Sequence, residues 1–74
     1  MPKLPVLKPR EVVSVISRLG FVEVRQRRSH KQFRHADGRV TTVPFHTARD
    51  ISPNLLRKII EDIRLTPEEF MGLL

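Results

Sequence analysis

Ser29-His30-Lys31-Gln32-Phe33-Arg34-His35-Ala36-Asp37-Gly38-Arg39-Val40-Thr41-Thr42-Val43-Pro44 reads as two strands joined by a tight turn. Asp37-Gly38 supplies residues that tolerate positive φ in a hairpin loop, and the β-branched run Val40-Thr41-Thr42-Val43 suits a pleated, half-buried surface. The pattern predicts one strand from His30 to His35 and another from Arg39 to Phe45, with Pro44 at a strand end or edge because it cannot donate to a ladder. Upstream, Phe21 to Gln26 alternates, with Val22 and Val24 on one side and Glu23 and Arg25 on the other. This predicts a third strand with one wet face.

Helical spacing flanks these strands. Pro9 suits a first helical position, and Val12, Val13, Ile16 and Leu19 then share one side of a helix ending near Leu19. Gly20 can take the left-handed conformation that stops it, with Phe21 pressed on Ile16, whereas Lys8 is a poor N-cap. Ser52-Pro53 opens a second helix, in which Leu55, Leu56, Ile59, Ile60 and Ile63 form an apolar stripe extending to about Leu65. Thr66-Pro67-Glu68-Glu69 repeats the grammar as a capping box, and a short terminal helix then returns Phe70, Leu73 and Leu74 to the core. The order α-β-β-β-α(α) predicts an α+β two-layer domain: a three-stranded antiparallel sheet with helices on one face. The other face must meet solvent or a ligand.

At 74 residues the chain is expected to form a single domain over 1–74, with 1–7 as a flexible N-terminal extension. Its composition, 39% hydrophobic and 30% charged, is that of a globular protein. The absence of cysteine excludes disulfides, thiolate zinc sites and covalent thiol chemistry. Three histidines spaced five and eleven apart match no common metal motif, and Gly20, Gly38 and Gly72 are too scattered for a phosphate-cradling loop, so neither metal nor cofactor is expected. No signal-peptide core or membrane-length apolar run is evident, which leads to the expectation of a soluble, cytoplasmic protein.

The net charge is +6, and residues 25–39 carry six cations against Asp37 alone, or 6 − 1 = +5 of it. Such a concentrated basic patch attracts polyphosphates. Along the His30 strand the period of two separates Lys31, Phe33 and His35 from His30, Gln32 and Arg34. If Phe33 faces the core, His30 lies on the open face at the end of the run Arg25, Arg27, Arg28. An imidazole titrates near neutral pH and could remove the proton of a ribose 2′-hydroxyl as it attacks the adjacent phosphate, while cations stabilise the added charge. His30 is therefore the candidate base, with Arg28, Lys31 and Arg34 as candidate phosphate ligands. From periodicity alone His30 reads equally well as a non-catalytic phosphate-binding group, so a non-catalytic RNA-binding module is the second reading and a face for an acidic protein the third. His35 and His46 read as structural, and Ser29 as a turn residue.

Leu19-Gly20-Phe21, Ser29 to His35, Asp37-Gly38-Arg39, Val43-Pro44 with His46, and Thr66-Pro67-Glu68-Glu69-Phe70, in this order and spacing, resemble HicA toxins. The resemblance implies a fold like that of double-stranded RNA-binding domains, cleavage of mRNA that blocks translation, and inhibition by a cognate HicB antitoxin. It also implies that His30, the histidine after the serine, is the active-site residue. One departure is Arg28, because the family usually has glycine before Ser-His. A positive φ there would strain a non-glycine residue.

Overall fold

The hairpin and the capped helices form where the residues demand them. The computed structural model describes residues 3–46 and 48–74. It comprises α1 (Pro9–Arg18), β1 (Val22–Arg27), β2 (His30–Arg34), β3 (Val40–Pro44), α2 (Pro53–Asp62) and α3 (Pro67–Met71). The strands form one antiparallel sheet in the order β1-β2-β3, and α1 and α2 both pack against β3. The smallest extent of the molecule, 17 Å, fits one helical layer on one sheet. This is the expected α+β two-layer arrangement.

Five helix boundaries follow from local chemistry. The C-terminus of α1 is closed by a Schellman pair, Phe21 N–H to Ile16 C=O at 3.0 Å and Gly20 N–H to Ser17 C=O at 3.1 Å, with Gly20 at φ 101°. At the start of α2, Ser52 Oγ accepts from Leu55 N–H at 3.2 Å. Thr66 and Glu69 exchange capping bonds of 3.1 and 2.8 Å at the start of α3. At α1 the weak cap Lys8 leaves the work to Glu11, whose carboxylate accepts from Lys8 N–H at 2.9 Å. Helix α2 ends at Asp62, short of the expected Leu65, because Arg64 turns to φ 59° and Leu65 N–H returns to Ile60 C=O. Arginine thus occupies a position that favours glycine.

Val12, Val15 and Ile16 of α1, Leu56, Ile59 and Ile60 of α2, and Phe33 and Val43 of the sheet meet in one core, sealed by Phe70. Each large side chain buried there contributes about 1.5–3 kcal/mol of transfer free energy.

Two expectations need correction. The described part of the 1–7 extension is docked rather than loose: Leu4 and Leu7 are buried, and Leu7 forms an antiparallel bridge with Ile51. Its two hydrogen bonds, 2.7 and 3.2 Å, tie the N-terminal segment to the loop before α2. In β1, all six residues are exposed. The strand lies at the sheet edge away from the helices' seat on β3, and a register shift between Glu23 and Arg25 breaks its alternation. Val22 pairs with Arg34 and Glu23 with Phe33, so it is Val22 that takes the open face.

Candidate active site

Phe33 fixes the presentation of β2. It is 2% exposed, so the two-residue period puts Lys31 on its side and His30, Gln32 and Arg34 on the open side. Cross-strand partners share a face, which arranges the open face as three rows. Arg27, His30 and Pro44 form the row next to the β1–β2 turn; Arg25, Gln32 and Thr42 form the middle row; Val22, Arg34 and Val40 form the last.

The turn itself is Arg28-Ser29, a two-residue hairpin loop. Arg28 has φ 56°, so the position where the HicA resemblance expects glycine does take positive φ. Positive φ at the first central residue and not at the second is the sign pattern of a type II′ turn, which favours glycine at the first. Gln26 Nε2 donates to the Arg28 carbonyl at 2.9 Å and supports the loop. Arg25, Arg27, Arg28, His30, Gln32 and Thr42 line a shallow concavity of about 480 Å³. His30 also lines a groove between β3 and α2, and a third hollow shared with Ser29, His46 and Arg49. One exposed imidazole thus stands where three depressions meet, beside the guanidinium groups that β1 and its turn supply. Among the described residues, no cluster of His, Asp and Glu could hold a metal ion.

Not every cation joins this face. Lys31 faces the helix side, half-buried, with its ammonium 3.4 Å from Glu23 and 4.3 Å from the centre of the Phe45 ring. Its expected place among the phosphate ligands is not what the geometry gives, because it alternates with His30 and shares the side of Phe33. Arg39 is spent on the hairpin: its Nε lies 2.8 Å from Asp37, and its guanidinium bonds the Ile63 carbonyl and covers Phe21. The Arg39 N–H and guanidinium, with His35 alongside, hold the Asp37 carboxyl below the usual carboxylate range. Arg25, Arg27, Arg28 and Arg34 remain exposed around the open face.

The other histidines differ in use. His35 Nε2 lies 3.1 Å from the Leu19 carbonyl, its Nδ1 is 3.1 Å from Asp37 N–H, and its ring meets Phe21 edge-on. It locks the β2–β3 turn to the end of α1. His46 is exposed, and its Nδ1 accepts from Ala48 N–H at 3.3 Å. The lining role of Thr42 was missed from sequence; the signal lay in its register partner Gln32, which cannot be read before the strand pairing is known.

No curated protein matches the chain. A family model described as the HicA toxin of bacterial toxin–antitoxin systems matches residues 9–65, from the first residue of α1 into the loop after α2. The match includes both hairpins and leaves α3 outside. The chain belongs to the HicA toxin family, and its biological role is that of a toxin paired with an antitoxin.

Proposed function

We propose that the toxin acts as a metal-independent endoribonuclease on mRNA, with His30 as its proton-transfer residue. The observation that carries this reading is the position of His30: exposed, directly across the hairpin from Arg27, and lining a concavity with three arginines. With RNA on this face, the imidazole takes the proton of a ribose 2′-hydroxyl as that oxygen bonds to phosphorus. The bond to the 5′-oxygen breaks, leaving a 2′,3′-cyclic phosphate and a 5′-hydroxyl. The leaving oxygen regains a proton, for which His46, in the hollow shared with His30, is the candidate donor.

Arg28 and Arg34 bind phosphate, joined by Arg25 and Arg27, and their charge opposes the negative charge that builds on the phosphorane. Lys31, turned to the other face, has no part in this. The antitoxin, of HicB type, blocks the toxin by covering the open face, where its acidic groups meet the same arginines. Purified toxin incubated with mRNA in excess EDTA should cut it into fragments ending in cyclic phosphate. Intact RNA that is nonetheless bound would identify a non-catalytic RNA-binding module instead.

A further inference from the structure

Gln32 and Thr42 stand opposite each other in the middle row of the open face, and both line the arginine-walled concavity and the groove between β3 and α2. The other glutamine and the adjacent threonine are committed elsewhere: Gln26 bonds the Arg28 carbonyl, and the Thr41 hydroxyl bonds Asp62 at 3.1 Å. Gln32 and Thr42 are exposed, and their side chains make no such bond among the described residues. A neutral amide and a hydroxyl beside three arginines add no charge to phosphate attraction. They do offer paired donors and acceptors, which a base edge requires.

We infer that Gln32, assisted by Thr42, reads the base next to the scissile phosphate in single-stranded RNA. This rests on the ribonuclease reading above and names its substrate class and specificity residue. Gln32 follows His30 by two residues of strand, about 6.7 Å. That step resembles the spacing of neighbouring nucleotides in an extended strand, so a phosphate at His30 brings an adjacent base over Gln32. A duplex supplies this contact poorly, since the A-form major groove excludes side chains, its pairing edges are occupied, and its minor groove is recognised mostly by shape and 2′-hydroxyls. Nor can stacking dominate: Phe21, Phe33 and Phe70 are buried, and Phe45 lies under Lys31. Discrimination on this face falls to hydrogen bonds.

The test uses eight-nucleotide RNA strands made uncleavable by 2′-deoxy substitution, varied one base at a time, with affinity read by fluorescence anisotropy. Wild type should prefer one base at one position by about tenfold, the usual worth of a good side-chain pair to a base. Gln32→Ala should flatten that preference to within about twofold and leave the salt dependence unchanged. Arg25→Ala should weaken all sequences together and reduce the salt dependence. Preference that survives Gln32→Ala overturns the inference, as does equal affinity for duplex. If wild type reads a base but leaves cleavable RNA intact, base reading stands and the nuclease reading falls. If it cuts RNA at sites that Gln32→Ala does not alter, the reverse holds.

Discussion

Arg27 and His30 are the last register pair before the β1–β2 turn, so a guanidinium and an imidazole face each other across the hairpin on the open side of the sheet. Two independent features put them there. Burial of Phe33 sets the face of His30, and the two-residue turn at Arg28-Ser29 sets the register that brings Arg27 opposite.

The phosphate contacts can be assigned by salt dependence. Arg28→Ala or Arg34→Ala should weaken RNA binding for every sequence and lower the slope of log affinity against log salt by about 0.7, the value for one phosphate contact on a single strand. Lys31→Ala should leave that slope unchanged, since its ammonium is held by Glu23 and Phe45. A lowered slope in the Lys31 variant would return that residue to the binding face.

Arg28 and Arg64 both hold positive φ, at 56° and 59°. Replacing either with glycine should stabilise the fold by about 1 kcal/mol, raising Tm by roughly 4–8 °C in a domain of this size. The two should separate in function. Arg64→Gly keeps RNA binding, whereas Arg28→Gly gains stability and loses a phosphate contact. Thermal melts beside binding isotherms check both halves, and a fall in Tm for either variant would contradict the backbone argument.

Leu7 joins the core through its side chain and the sheet-like bridge to Ile51 through its backbone. Leu7→Ala should cost about 2–3 kcal/mol by urea denaturation. A loss below about half a kcal/mol would mean that the N-terminal segment contributes nothing to stability.

Asp37 has a lowered pKa because the Arg39 N–H, the Arg39 guanidinium and His35 favour its charged form. The stability it contributes is therefore present above the unfolded carboxylate value, about 3.9, and is lost as pH falls through the lower folded value. Asp37→Asn should be less stable than wild type at pH 6, and the gap should close toward pH 2–3. A difference constant across that range would show that the charge of Asp37 is irrelevant to the hairpin.

Much of the fold was legible because its signals are local. Gly20 with Phe21, Ser52-Pro53, Thr66 with Glu69, and Asp37-Gly38 each specify a cap or turn within a few residues, and each does so in the structure. The misreadings involve distant contacts. Val22 and Val24 alternate like a half-buried strand, but the bulge and the edge position of β1 leave them exposed. Lys31 carries the same charge as its neighbours, and only its face separates it from them. The docking of Leu7 depends on Ile51, more than forty positions away, which no local pattern encodes. His30 was legible because its face follows from one aromatic residue three positions along.

The most direct test of His30 measures RNA cleavage and RNA binding on the same variant. His30→Ala should fold as wild type, because the side chain is exposed, and should bind uncleavable RNA within a few-fold of wild type. Its cleavage rate should fall by about 10²–10⁴-fold, the usual contribution of a positioned acid or base. Cleavage within a few-fold of wild type by the folded variant would contradict the assignment of proton transfer to His30.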